Sequence, residues 1–163
     1  MEKCFAIFPH NGKTFSTVWK TALALLLAVP AAAPAGRIVE AFAPGTAAAW
    51  QPFLQSPAVL ASPDGLAFPA PFSSGRDRFA WDRAVSFDLT PAVAFELDLS
   101  CPLPDALRAL GLYFKSGNGW YVCNKPLVRS GAQTVVFSKS EFTAEGKPAG
   151  WHRIDGLRLS PWK

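Results

Sequence analysis

The stretch Phe79-Ala-Trp-Asp-Arg-Ala-Val-Ser-Phe-Asp-Leu89 decides the fold class. Apolar side chains occupy every second position except Arg83, and small or charged side chains stand between them. The same alternation runs from Val93 to Cys101, after a break at Thr90-Pro-Ala92. A period of two with one apolar face is typical of a strand that is half-buried in an antiparallel sheet. Both segments are therefore predicted to be strands with one face in a core.

A tight turn joins two further predicted strands. The sequence Ser116-Gly-Asn-Gly119 favours a hairpin, because glycine and asparagine tolerate positive φ angles. Leu110–Phe114 leads into this turn, and Trp120–Cys123 returns from it. The other predicted strands are Arg37–Phe42, Thr134–Ser138 and Trp151–Ser160, the last with a bulge at Asp155-Gly156.

The remaining segments predict loops rather than helices. Residues 43–75 are dense in proline, which breaks regular helices, so we expect long loops with short extended pieces there. Thr143–Gly150 is predicted to be a loop, and Pro104–Ala109 is the one segment that can be helical. About seven strands with turn-rich connections predict an all-β fold, an antiparallel β-sandwich, and within that class we favour a jelly roll.

The first 35 residues have the features of an export signal. Thr21–Pro30 is an uncharged apolar run, and the small residues Ala31–Ala35 follow it. Basic residues precede the run: they are Lys3, Lys13 and Lys20. This order predicts cleavage after Ala33 or Ala35 and an extracytoplasmic location, either secreted, periplasmic or at the cell surface. The alternative is an uncleaved N-terminal anchor, which is the one membrane contact that we expect.

Length and composition of the full chain set limits on its fold and its partners. A chain of 163 residues with 50% hydrophobic and 17% charged residues suffices for one packed domain. The net charge is +4, but no dense basic run accompanies it, so no nucleic-acid partner is expected. His152 is the one histidine of residues 36–163, and no Cys-x-x-Cys motif occurs, which argues against a zinc site. Cys101 and Cys123 either form a disulfide or stay reduced, with Cys101 buried.

Three segments resemble a known type of module. They are Phe79–Arg83 with Phe87–Leu89, Leu112–Tyr121, and Phe142–Trp151 with the tail Ile154–Ser160. Together they resemble the galactose-binding-like β-sandwich modules attached to secreted bacterial glycoside hydrolases, over residues 37–163. The resemblance implies a non-catalytic jelly roll that binds a glycan or oligosaccharide. Because several such modules hold calcium, it also leaves room for a structural calcium ion.

Modules of this type usually end with a strand that closes the sandwich beside the first strand. Here the sequence ends at Ser160-Pro-Trp-Lys163. Either the last strand is missing or an earlier segment takes its place. The resemblance thus implies the N-terminal part of a longer glycan-active protein with a downstream hydrolase domain. The alternative is a complete small protein with an exposed sheet edge.

Sugar binding needs aromatic faces and a few fixed polar groups. Tyr113 and Tyr121 are predicted to point outward, whereas Trp120 alternates with Val122 and can belong to the core. The candidate ligand-binding residues are Tyr113, Tyr121, Trp120, Lys115, Asp98, Glu96 and Asn118, with Trp50 as a further aromatic candidate. Of these, Glu96, Asp98, Tyr113 and Lys115 are predicted to share one polar sheet face. Trp81 and Trp151 are predicted to pack inside.

Catalysis by this chain is not expected. Glu96 and Asp98 lie two apart on one strand face and can in principle act as a carboxylate pair, but acids on an exposed face are usually solvated. The acids that a fold could gather around calcium are Glu40, Asp64, Asp77, Asp82 and Asp155, and no ligand set follows from them. The alternative function is a structural or protein-interaction sandwich that packs against a catalytic domain without binding sugar.

Overall fold

The chain forms ten strands in a computed structural model that describes residues 4–7, 42–63, 65–103 and 107–163. The strands are β1 (Cys4–Ile7), β2 (Trp50–Phe53), β3 (Leu60–Ser62), β4 (Gly65–Pro69), β5 (Ala80–Phe87), β6 (Ala94–Cys101), β7 (Ala109–Lys125), β8 (Gly131–Ser138), β9 (Thr143–Pro148) and β10 (Ile154–Trp162). Short 3-10 turns occupy Pro44–Ala49, Phe72–Ser74 and Lys139–Glu141. Within the described ranges, no helix is long and apolar enough to cross a bilayer.

The strands form two sheets that pack face to face. Sheet A has the order β3-β4-β1-β6-β8, and sheet B has the order β2-β5-β10-β7-β9. Neighbouring strands are antiparallel in both sheets. Phe68 of sheet A and Trp81 of sheet B belong to the same buried cluster, with ring centroids 5.3 Å apart. The predicted antiparallel β-sandwich is confirmed.

The two alternating segments become β5 and β6 as predicted. Trp81 is fully buried on β5, and Leu97 and Leu99 are buried on β6. The indole Nε1 of Trp81 donates a hydrogen bond of 2.7 Å to the Pro57 carbonyl oxygen, so its polar atom is satisfied inside the core. The described residues of the segment 43–75 contain no α-helix and three short strands, which agrees with the proline content of the segment.

Strand β7 reverses direction at Gly117, which has a φ of 57°. If β7 were straight, Gly111 and Asn124 would lie about 43 Å apart at the usual rise per residue. Instead, a Cβ atom placed on Gly111 would come within 2.6 Å of the Asn124 side-chain oxygen. The predicted hairpin at Ser116–Gly119 is thereby confirmed. Its first arm pairs with β10 and its second arm with β9.

Two predictions of local structure need correction at the end of the chain. Thr143–Gly150 is not a loop, because Thr143–Pro148 forms β9 at the edge of sheet B. The side chains of β9 are exposed except for a half-buried Pro148, so no apolar alternation announces the strand. Strand β10 begins at Ile154 rather than Trp151. The register shift between Ile154 and Gly156 confirms the predicted bulge.

Strand β1 lies in the middle of sheet A, between β4 and β6. Its residues Cys4–Ile7 pair with Leu66–Pro69 on one side, and Ala6 and Ile7 pair with β6 on the other. These four residues belong to the predicted export signal, and a chain cut after Ala33 or Ala35 would lack them. The rest of residues 1–35 lies outside the described residues, as do most of the predicted strand Arg37–Phe42 and residues 104–106 of the predicted helix.

Cys101 and Cys123 are both buried and reduced. The structure thus contains no disulfide between them, and the prediction of a buried Cys101 is confirmed. Cys123 also belongs to the buried core cluster. Burial raises the pKa of both thiols above the ordinary value of 9.0. The reactive thiolate form is therefore scarce at neutral pH.

We expect neither Cys101 nor Cys123 to react with a thiol reagent at about pH 8 in the folded chain. The measurement is labelling by dithionitrobenzoate in a Cys4→Ser background, with and without urea. Both thiols should react only in urea. As a control, Val136→Cys places a thiol on β8 where the native side chain is 47% exposed, and this thiol should react at once. Fast labelling of Cys101 or Cys123 without urea would contradict their burial.

Candidate functional site

Aromatic and guanidinium side chains cover the surface of sheet B that points away from the core. Arg158 of β10 lies between Leu157 and Leu159, which belong to the core, so strand alternation directs Arg158 to the opposite side. The strand register places Arg158 beside Tyr113 of β7 and Asp82 of β5. We name this surface the arginine–aromatic face; its members are Phe53, Arg78, Asp82, Tyr113, Trp120, Arg158, Ser160 and Trp162.

Arg158 is held by an acid and two aromatic rings. Its Nε donates to Oδ1 of Asp82 at 2.5 Å, and its Nη2 donates to Oδ2 at 2.8 Å. This two-point contact fixes the plane of the guanidinium. The guanidinium carbon lies 4.2 Å from the ring centre of Phe53 and 4.5 Å from that of Trp120. Arg158 therefore presents its remaining donors in a fixed orientation.

Arg78 is held in a similar way at the neighbouring position. Its Nε donates to the hydroxyl of Ser160 at 2.8 Å, and that hydroxyl donates to the Phe79 carbonyl oxygen at 2.9 Å. The guanidinium carbon lies 4.2 Å from the ring centre of Trp162 and 5.4 Å from that of Tyr113. Burial lowers the pKa of Arg78 below its ordinary value, and a guanidinium stays charged at neutral pH.

In the part of the chain that the structure describes, no acid lies as close to Arg78 as Asp82 lies to Arg158. Among the described residues, Lys115, Lys125 and Arg158 form ion pairs within 4.0 Å, and Arg78 forms none. Its guanidinium carbon lies within 5.4 Å of the ring centres of both Tyr113 and Trp162, on a surface that also carries Asp82. This part of the arginine–aromatic face can therefore donate hydrogen bonds to a hydroxyl or a carboxylate of a ligand.

The rings of the face differ in exposure. Phe53 is 41% exposed, whereas Trp120 and Trp162 are half-buried. Tyr113 is only 5% exposed, and the ring centre of Trp120 lies 6.4 Å from its own in an edge-on contact. Tyr113 thus supports the surface from below, while Phe53, Trp120 and Trp162 are the rings that a ligand can reach.

The structure brings Tyr113 and Trp120 together and separates both from Tyr121. The hairpin places Gly111 beside Asn124, so odd-numbered residues of the first arm pair with even-numbered residues of the second. Side chains of paired residues project to the same side of the sheet. Tyr113 therefore shares its side of the sheet with Trp120. Tyr121 points to the core side, where it stacks on Trp151 with ring centres 4.0 Å apart. The prediction that Tyr121 points outward was wrong. Of the two alternatives left open for Trp120, the structure excludes the core position, whereas Trp151 packs against the core as predicted.

Glu96 and Asp98 do not share a face with Tyr113. Both acids lie on β6 in sheet A, whereas Tyr113 lies on β7 in sheet B, so the prediction of one common polar face was wrong. Asp98 accepts a hydrogen bond of 2.5 Å from the hydroxyl of Thr134 on β8. Trp50 is 2% exposed and packs in the core, so it is not a surface candidate either.

The other two predicted residues, Lys115 and Asn118, are exposed near the hairpin turn. Lys115 lies 3.5 Å from Asp155, and the second carboxylate oxygen of Asp155 accepts a hydrogen bond of 3.0 Å from the Gly117 amide. Asp155 therefore holds the turn in place. Of the acids considered for calcium, Asp82 pairs with Arg158, and Glu40 and Asp64 lie outside the described residues. The described residues contain no group of three metal-ligating side chains.

Sequence reasoning missed Arg78, Arg158, Phe53 and Trp162 as site residues. A signal for part of this set was present, because Arg158 and Ser160 occupy alternate positions of the predicted strand Trp151–Ser160, and Trp162 follows at the next alternate position. They share the side of β10 that faces away from Leu157 and Leu159. Phe53 and Arg78 reach the face from other segments, and only the strand order reveals them.

Comparison with known proteins adds no relative that could assign this face a role. No family model, no curated protein and no solved structure matches the chain. Its function has to be inferred from the chemistry of the arginine–aromatic face and from the fold that positions it.

Proposed function

We propose that the chain is a non-catalytic carbohydrate-binding module that binds sugar on the arginine–aromatic face. The observation that carries this proposal is the combination of reachable rings with fixed polar groups on one surface. Phe53 and Trp120 supply apolar area, and the Arg158–Asp82 pair lies between them. A sugar ring has an apolar face that stacks on aromatic rings and an edge of hydroxyls that needs directional hydrogen bonds.

The fixed charges give the face its hydrogen-bonding selectivity. Arg158 and Arg78 are both aligned by stacking on rings, so their donors lose little freedom when a ligand binds. Each carboxylate oxygen of Asp82 accepts one hydrogen bond from Arg158. Each can accept a second one from a ligand hydroxyl. A hydroxyl-rich ligand, neutral or carrying a carboxylate, matches this set of groups better than an apolar one.

A binding role fits the face better than catalysis does. A glycosidase needs two carboxyl groups at about 5–5.5 Å or about 6.5–9.5 Å across the scissile bond. The two carboxylates that the sequence offered as a pair, Glu96 and Asp98, lie on the other sheet, away from the aromatic rings. The two oxygens of Asp82 accept hydrogen bonds from Arg158. Such a carboxylate acts as a fixed acceptor and orients its partner.

The wider setting is part of the same proposal. The export features of residues 1–35 and the module resemblance support an extracytoplasmic protein of the galactose-binding-like jelly-roll type. The two sheets and their antiparallel order are compatible with that type.

Binding to a glycan array is the test of the proposed function. The full chain should be checked for folding by near-ultraviolet circular dichroism and then offered neutral and acidic oligosaccharides. For each ligand that is retained, Trp120→Ala and Phe53→Ala should weaken binding about ten-fold in calorimetric titration, since each removes one stacking ring.

Val136→Ala is the matched control for these variants. Val136 is 47% exposed on β8 of sheet A, so its truncation removes exposed apolar area away from the arginine–aromatic face. It should leave the dissociation constant unchanged. A folded chain that retains no glycan would contradict the proposal and favour the alternative, a sandwich that packs against a catalytic domain.

A further inference from the structure

Sheet A contains an interval, one strand wide, that is filled by four residues from a distant part of the sequence. On one side of strand β1, Cys4 lies opposite Pro69 of β4 and Ile7 lies opposite Leu66. On the other side, Ile7 lies opposite Leu99 of β6. In the described sheet, β4 and β6 are joined through β1. Residues 8–41 separate β1 from the next described segment, so the occupant of the interval is not fixed by a short connection.

Both sides of the interval need a strand between them. Without β1, β4 and β6 would each present a row of unpaired backbone N–H and C=O groups. The core lies directly beneath, because Leu66, Phe68 and Leu99 are at most 1% exposed. Water entering the interval would reach these side chains. An extended peptide that pairs with both strands is therefore expected to bind strongly in the empty interval.

The register defines the chemistry of the peptide that fits. Positions 5 and 7 lie opposite the buried residues Phe68 and Leu66, and position 7 also lies opposite Leu99. Position 6 lies opposite Ala67 and Ser100, which are half-buried. The site thus selects an uncharged strand with large apolar residues at alternate positions and a small residue between them. Phe5-Ala-Ile7 has this pattern.

We propose that the interval between β4 and β6 is a binding site for one extended peptide of apolar-small-apolar pattern, and that Cys4–Ile7 of the same chain is its occupant. The segment acts as an intramolecular ligand rather than as a permanent part of the sheet. Because it falls within the predicted export signal, cleavage after Ala33 or Ala35 would remove it and open the site. The inference rests on the sheet register and is independent of sugar binding.

A disulfide test locates the occupant in the full chain. Cys4 lies directly opposite Pro69, and opposite residues of antiparallel strands have Cα atoms about 4.5–5.5 Å apart, within the range for a disulfide. In Pro69→Cys, mild oxidation should join Cys4 to the new thiol within one molecule, as shown by non-reducing peptide mapping. Val136→Cys places a thiol on β8 instead and should form no bond to Cys4. A Cys4 bond found only in dimers, or none at all, would overturn the assignment of this occupant.

A peptide exchange test measures the binding site itself. The full chain carrying Phe5→Pro and Ala6→Pro cannot form β1, because proline lacks the amide proton and fits poorly within a sheet. A fluorescein-labelled peptide with the sequence of residues 3–8 should bind this variant at least about ten-fold tighter than the unaltered chain, in which the tethered segment competes. The same peptide with proline at the two central positions should not bind.

If the double-proline variant does not fold by itself, recovery of its structure on addition of the peptide becomes the measurement. If that variant lacks near-ultraviolet circular dichroism by itself, adding the peptide of residues 3–8 should restore the signal, and the proline peptide should not. A variant that neither binds the peptide nor regains structure with it would overturn the proposal. Equal peptide affinity for the variant and the unaltered chain would overturn it as well.

Discussion

Replacement of Trp81 by alanine is expected to lower the free energy of unfolding by about 3–5 kcal/mol. The side chain is fully buried, and its ring lies 5.3 Å from Phe68 across the two sheets. Its removal leaves a cavity between the sheets. It also leaves the Pro57 carbonyl oxygen without the hydrogen bond that it accepts from the indole. Both losses act in the same direction, which places this substitution among the most destabilising in the chain.

Trp120→Ala is the matched control, since it makes the same chemical change on the outer side of sheet B. Trp120 is half-buried and lies outside the core cluster, so its truncation should cost about 1 kcal/mol. Urea unfolding followed by circular dichroism gives both values. The two variants should separate stability from recognition, because Trp120→Ala should bind sugar weakly while it stays folded. Equal destabilisation by the two variants would contradict the assignment of their faces.

Asp82→Ala is expected to lower the free energy of unfolding by about 2 kcal/mol, less than the 3–5 kcal/mol for a fully buried pair. The side chain of Arg158 is 14% exposed and would lose its two-point partner, whereas Asp82 is 35% exposed, so water replaces part of the lost interaction. The guanidinium would still lie between Phe53 and Trp120. Its charge would then have no acid directly beside it.

A double substitution distinguishes the lost charge from lost packing. Asp82→Leu combined with Arg158→Met replaces the ion pair by apolar side chains and should recover most of the stability that Asp82→Ala loses. Sugar binding should stay impaired in both variants, because both lack the aligned guanidinium–carboxylate pair. Urea midpoints and titration of a retained glycan give the two readouts. A double variant no more stable than Asp82→Ala would show that packing, and not charge, holds this position.

Strand positions followed from the sequence where one face is buried and the other is not. Phe79–Leu89 and Val93–Cys101 show such an alternation, and both became strands of the sandwich. Strand β9 escaped prediction because it lies at a sheet edge with both faces largely exposed. Strand β1 escaped prediction because Cys4–Ile7 is a short apolar piece inside the predicted export signal, and only the three-dimensional pairing shows it to be a strand.

The candidate site followed from the sequence only in part, because faces depend on strand order and turn geometry. Tyr113 and Trp120 lie on one surface, but Tyr121, which the sequence grouped with Tyr113, lies on the other side of the sheet. The hairpin pairs odd-numbered residues with even-numbered ones, so odd numbers on its two arms do not mark the same side. Glu96 was grouped with Tyr113 because both point outward, although they belong to different sheets. Outward direction is a local property of a strand, whereas a shared surface requires the strands to be neighbours.

The order of the strands also determines which sheet edges are available for self-association of the protein at high concentration. Sheet edges invite edge-to-edge association unless proline, lysine or shortness blocks it. Among the four edges that the structure describes, β2 contains Pro52, β3 has three residues, and β9 ends in Lys147 and Pro148. The fourth edge, β8, runs for eight uncharged residues from Gly131 to Ser138 without a proline. Colloidal stability of this protein therefore depends most on what lies against β8.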